Sequence, residues 1–174
     1  MAVAIKKLGF SNIKIYNGGL KDWIKNGLTV DTIEPLPKIP VTFVDNAELL
    51  ARMEENHRQG CPTNDKENIL TIIDFRSSLN LKIKRGGDQY RIKTDCQTIT
   101  ATLDDFIDNQ ELIDSIPKSG LVVTVSETGN RDQFLIRYLH RYGYRNVVGL
   151  QYGMRGWLKA DYPVEKITGK DQKR

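Results

Sequence analysis

Short apolar runs separated by amphipathic stretches set the pattern of this chain. Ile69 to Ile73 is the most apolar run, and Leu121 to Val125 is dominated by β-branched residues. Both predict strands, and the continuous hydrophobicity of Ile69 to Ile73 predicts burial on both faces, as in a parallel sheet. Ile13 to Tyr16, Val41 to Val44, Thr98 to Ala101 and Asn146 to Gly149 read as further strands. Between them apolar positions recur at helical spacing over Asn46 to about Arg58, Leu103 to Ile107, Glu111 to Ile116, Phe134 to about Tyr142, and Met154 to Ala160. Gly18-Gly19 opens another helix, with Leu20, Trp23 and Ile24 on one face. Residues 79–93, LNLKIKRGGDQYRIK, alternate around Gly86-Gly87 and predict a hairpin. Pro35, Pro37 and Pro40 exclude regular structure between the first helix and the rest. Strands alternating with helices predict the α/β class, a three-layer domain with a mostly parallel central sheet flanked by helices.

The chain also repeats itself. LGFSNIKIYNGGLKDWIKNGLTV (8–30) aligns without a gap on YGYRNVVGLQYGMRGWLKADYPV (142–164), pairing Gly9 with Gly143, Asn12 with Asn146, Gly19 with Gly153 and Trp23 with Trp157 at a constant spacing of 134 residues. That spacing is about one small domain. The organisation expected is therefore a C-terminal fragment of a preceding repeat (1–30), a Pro-rich linker (31–40), one full domain (41–165) and a polar tail (166–174). Trp23 and Trp157 read as core residues, each closing its helix onto a sheet.

Composition narrows the partners. Of 174 residues, 39% are hydrophobic and 28% charged, which suits a soluble globular chain and excludes a disordered one. No apolar run approaches the roughly 20 residues of a spanning helix, so no membrane is expected. MAVAIKKLGF lacks the order of a signal peptide, and a cytoplasmic location is expected unless an upstream segment changes it. The net charge of +4 is spread among acids, which argues against nucleic acid. Cys61 and Cys96 are too few for a disulfide framework and read as free thiols. His57 and Cys61 are two ligands at most, so neither a metal nor a cofactor is expected.

The chemistry concentrates in Ser126-Glu127-Thr128-Gly129-Asn130-Arg131, between the strand at 121–125 and the following helix. A short loop at that junction, with a Gly where the backbone bends, turns N–H groups toward one point and makes an anion site. Ser126 heads the loop, where a nucleophile would be presented.

This loop, the flanking strand and helix, and the G-[FY]-x-N…G-x-x-x-W pattern of both repeats resemble the rhodanese family, the sulfurtransferase module. Asp74-x-Arg76, after the apolar strand, resembles its D-x-R signature. The resemblance covers most of residues 40–165. It implies a C-x-x-G-x-R loop whose Cys thiolate carries sulfur as a persulfide, activated by loop N–H groups and the Arg. Gly129 and Arg131 match, but Ser126 stands in the cysteine position. A serine oxygen cannot form the persulfide, and it needs a positioned general base to act at all. His140 is nine residues beyond Arg131, about 13 Å along a helix, and His57 belongs to another helix, so the sequence offers no evident base. Two further departures are Glu127, a carboxylate in the anion loop, and the missing G-H-I-P-G-A segment, whose interval the basic hairpin occupies.

Several readings stay open for these residues. Ser126 can be a relic that caps the helix, a replaced cysteine, a hydroxyl that hydrolyses phosphoesters, or part of a retained anion pocket. Arg131 can pin an anion or pair with Asp132 or Asp74. Asp74 and Arg76 read as supports that tie the strand end to its neighbours. Lys82, Lys84, Arg85, Arg91 and Lys93 fit a solvated face or a dock for an acidic partner.

The function expected is a rhodanese-like domain of a sulfurtransferase-family protein, lacking sulfur transfer itself and acting as a structural, anion-binding or partner-binding module. The alternative is part of an active thiosulfate or thiol sulfurtransferase whose Cys lies in another repeat or was changed to Ser126. Partners expected are a small sulfur-containing anion or an acidic protein, and a homodimer through 1–30. If the cradle persists and Glu127 points to solvent, a thiol at position 126 is expected to ionise below about 8.5.

Overall fold

The structure, a computed structural model, describes residues 6, 7, 9–30, 35–58, 70–76 and 89–167. It divides into two compact units, 1–35 and 36–174.

The larger unit is built on a five-stranded sheet. In chain order its elements are β1 (Phe43–Val44), α2 (Asn46–Arg58), β2 (Leu70–Asp74), β3 (Tyr90–Ile92), β4 (Gln97–Thr100), α3 (Leu103–Asp108), α4 (Gln110–Asp114), β5 (Leu121–Val125), α5 (Asp132–Arg141), β6 (Val147–Leu150), α6 (Gly153–Lys159) and β7 (Val164–Lys166); α1 (Gly19–Lys25) belongs to the smaller unit. The sheet runs β1-β6-β5-β2-β4, with every pairing parallel. Its central strands are β5 and β2, the two apolar runs of the sequence, and every residue of β2 is buried. Alternation along each strand sends side chains to opposite faces. Leu70, Ile72, Val123 and Val125 join Leu49 and Met53 of α2 and Met154 and Trp157 of α6 in one core. Ile73 and Val122 join Phe106, Ile113, Leu135 and Leu139 of α3, α4 and α5 in the other. Two helix layers enclosing one sheet is the three-layer α/β arrangement expected.

Three expectations change. The second arm of the predicted hairpin, Tyr90–Ile92, pairs antiparallel with Val164–Lys166 at the C-terminal end, with Arg91 bonded to Glu165. β-branched alternation announces a strand but not its neighbour, and Gly86-Gly87 lies outside the described residues. Lys166 consequently belongs to a strand rather than to the polar tail. Cys96 is disulfide-bonded rather than a free thiol; a count of two cysteines says nothing about which chain segments the fold brings together. Cys61 lies outside the described residues, as does the side chain of His57.

In the smaller unit, Ile13 to Tyr16 form no strand. A strand needs a neighbour for its N–H and C=O groups. The equivalent β6 has two, β1 and β5, whereas the described residues of this unit contain no strand to offer. What the unit does retain is the geometry of the repeat. Gly9 and Gly143 both take positive φ (92° and 88°), as do Gly19 and Gly153 (62° and 56°). Trp23 Nε1 donates to the Thr29 carbonyl at 2.9 Å, and Trp157 Nε1 donates to the Pro163 carbonyl at the same distance. The packing differs sharply. Phe10 and Leu20 are exposed while their equivalents Tyr144 and Met154 are buried, Ile24 is exposed while its equivalent Leu158 is half-buried, and α1 has no buried residue. Trp157 is fully buried as expected, and Trp23 only half-buried.

Candidate functional site

Ser126 follows the last residue of β5, at the carboxyl edge of the middle strand, where open α/β sheets place their ligand sites. The chain then turns through Gly129, whose φ of 84° suits only a residue without Cβ, and enters α5 at Asp132. The start of α6 closes over the loop: the Met154 and Arg155 N–H groups donate to the Ser126 and Glu127 carbonyls at 2.9 and 3.0 Å. Gly153 makes this approach feasible. A Cβ there would lie 2.3 Å from the Ser126 carbonyl oxygen and 2.7 Å from the Gly129 nitrogen.

The Ser126 hydroxyl is engaged as both donor and acceptor. Its oxygen accepts from the Gly129 N–H at 3.0 Å, and its proton goes to Asp132 Oδ2 at 2.5 Å. Thr124 Oγ1 donates to the other oxygen, Oδ1, at 2.7 Å. Asp132 is fully buried and Ser126 only 2% exposed. Burial pushes the Asp132 carboxyl up to about 6, against the hydrogen bonds from Ser126 and Thr124, which favour the carboxylate.

Asp132 is the functional residue that sequence reasoning missed. Thr124 and Ser126 are two residues apart and share one side of the strand, and Asp132 is the first residue of the next helix. Two hydroxyls on one side with an acid at the end of a short loop was the available signal. Asp132 overturns the absence of a nearby base, but a hydroxyl this buried leaves no approach for an electrophile, so phosphoester hydrolysis at Ser126 has no geometric support. Nor does Ser126 cap the helix. Its acceptor serves Gly129 inside the loop, and α5 begins without a side-chain cap.

The supporting pair stands beside this network. Asp74 lies opposite Val125 in the sheet register, so the residues after β2 border the loop. Arg76 clasps Asp74 through two bonds of 2.8 and 2.6 Å and donates to the Tyr90 carbonyl at 2.6 Å. The remaining nitrogen, Nη1, is 3.9 Å from Glu127 Oε2, and neither atom has a hydrogen-bond partner. Glu127 is thus turned in toward Arg76 and does not point to solvent. Coulomb attraction in a poorly hydrated site draws it there. Arg131 is exposed and pairs with neither Asp132 nor Asp74. Asp132 is already committed to the two hydroxyls and Asp74 to Arg76. Asn130 lies exposed beside Arg131, its carbonyl accepting from Gln133.

Two grooves flank the loop and share Thr128 and Tyr152. One, about 550 Å³, runs between Asn46, Arg155, Gly156 and Lys159. The other, about 340 Å³, is bordered by Phe43, Asn130, Gln133 and Gln151. No group of three or more metal-ligating side chains occurs among the described residues. No described helix is long and apolar enough to cross a membrane.

No protein-family model matches the sequence, and no curated protein is similar enough to count as a relative. Solved structures do match. A rhodanese-like domain protein from Staphylococcus aureus is 19% identical with a TM-score of 0.51, covering 74% of this chain and 100% of its own. The rhodanese-like domain of an Anabaena protein is 18% identical at a TM-score of 0.50, covering 78% and 84%. A Bacillus halodurans protein, 16% identical, matches at 0.52 over 89% of each chain. With its five-stranded parallel sheet between two helix layers and its loop at the carboxyl end of the middle strand, the chain has the rhodanese-like fold.

Proposed function

We propose that this is a rhodanese-like domain that does not itself transfer sulfur and serves a sulfurtransferase-family protein as a structural, anion-binding or partner-binding module. The observation that carries the reading is the Ser126 hydroxyl, fixed between the Gly129 N–H and a buried Asp132. A persulfide carrier needs an anion at this place, and a carboxylate 2.5 Å away opposes one. Asp132 therefore also argues that serine is the resident residue here and not a replaced cysteine. In a thiosulfate and cyanide assay the chain should make thiocyanate at the background rate. Clear turnover abolished by Ser126→Ala would sink the reading.

A second reading draws on the paired geometry of 9–30 and 143–164, which favours a tandem arrangement. Residues 1–30 are then the end of a preceding repeat, and sulfur transfer belongs to that repeat. It requires a C-x-x-G-x-R loop encoded in frame upstream of Met1, and its absence there would remove the reading.

A further inference from the structure

The larger groove beside the loop has a composition that the Ser126 network does not explain. Arg155 and Lys159 stand one turn apart on α6 and so share a face. The first turn of α6 has no acid, and neither cation is in an ion pair among the described residues. Two like charges at this spacing repel. The repeat shows what is missing. The equivalent helix α1 carries Lys21 and Lys25 with Asp22 beside them, whereas the second copy has Gly156 at the Asp22 position.

That change also opens space. A Cβ on Gly156 would lie 2.6 Å from Tyr152 Cβ and 2.9 Å from Asn46 Nδ2, so any side chain there would intrude on the groove. Tyr152 itself takes a left-handed backbone conformation, φ 62°, with 67% of its surface exposed. The first copy has Gly18 at that position. The ring is thus exposed at the groove instead of joining the core. Glu127, the one carboxylate of the loop, is engaged with Arg76.

We propose that this groove binds a small organic anion with a planar apolar body. The acidic group lies between Arg155 and Lys159, and the ring lies against Tyr152 and Ala160 with Thr128 at the loop end. The volume, about 550 Å³, falls within the ~300–1,000 Å³ of small-molecule sites, which combine apolar walls with a few convergent polar groups. The inference rests on the reading of the domain as a binding module. It narrows the ligand to an aromatic acid taken beside the loop, outside the Ser126 cradle.

The test is calorimetric and NMR titration of the full chain with phenyl phosphate, and with inorganic phosphate and phenol as its two halves. Phenyl phosphate should bind saturably, shift the amides of Thr128, Tyr152 and Gly156, and bind at least about tenfold tighter than either half. Arg155→Ala and Lys159→Ala should each weaken it about tenfold. Lys118→Ala, which removes a cation at the opposite end of β5, should leave it unchanged. Absence of saturable binding, equal affinity for inorganic phosphate, or indifference to Arg155→Ala and Lys159→Ala would overturn the proposal. So would an acidic Glu/Tyr peptide that binds and that phenyl phosphate fails to displace, since the surface would then dock a protein. These failures leave the absence of sulfur transfer standing, because only turnover in the cyanide assay bears on that.

Discussion

The Ser126 hydroxyl has one proton, and Asp132 takes it. Because the Asp132 carboxyl is raised from 3.8 to about 6, the folded chain binds a proton there more tightly than the unfolded one. The stability this contributes is complete below about pH 4 and declines as pH rises to about 6, on the order of 3 kcal/mol over that window. Asp132→Asn should remove this component, so that its unfolding free energy relative to the parent rises between pH 4 and pH 6. Denaturant titrations at the two pH values measure it, and a constant difference would contradict the assignment. Ser126→Ala leaves the Gly129 N–H and one carboxylate oxygen without their partner and should cost about 1–3 kcal/mol at neutral pH, measured in the same way. The sequence displays Ser126, Gly129 and Arg131 plainly, because their spacing is local. The Ser126–Asp132 contact depends on how sharply the loop turns, and Glu127's orientation depends on Arg76, about fifty residues away in the chain. Spacing along the chain carries neither.

Among the elements, α6 holds the loop shut through the Met154 and Arg155 N–H groups of its first turn. Gly153→Ala forces a Cβ against the Ser126 carbonyl and the Gly129 nitrogen, both backbone atoms that cannot swing aside. It should cost about 2–4 kcal/mol, read from the shift in denaturation midpoint. A cost below 1 kcal/mol would mean that the loop gives way easily. The helices and central strands are legible in the sequence because hydrophobic period and burial agree; α2 spans Asn46–Arg58 as its periodicity indicates. Two segments are not legible in the same way. Ile13 to Tyr16 has the composition of β6 without its neighbours, and Tyr90–Ile92 finds its partner at the far end of the chain. Strand pairing is non-local, and composition reports only the capacity for it.

For the whole molecule, both cores of the larger unit draw only on residues from Leu36 onward. Residues 36–174 alone should therefore melt cooperatively, as followed by circular dichroism. Residues 1–35 carry Phe10, Ile15, Leu20 and Ile24 on the surface, each more than half exposed, and we propose that this face is covered by a rhodanese-type surface of a second copy. Sedimentation of the full chain should then show a dimer that deletion of 1–35 converts to monomer, whereas a monomeric full chain would leave that face without the proposed cover.

The central claim is that Asp132, together with Ser126, closes this loop to thiolate chemistry. Iodoacetamide alkylation of Ser126→Cys across pH measures it directly. The inherited cradle alone would lower the thiol below about 8.5, but a buried carboxylate in contact should raise it above that value. Adding Asp132→Ala should bring it back down. A thiol that ionises below about 8.5 in Ser126→Cys alone, with no further change on removing Asp132, would contradict the account.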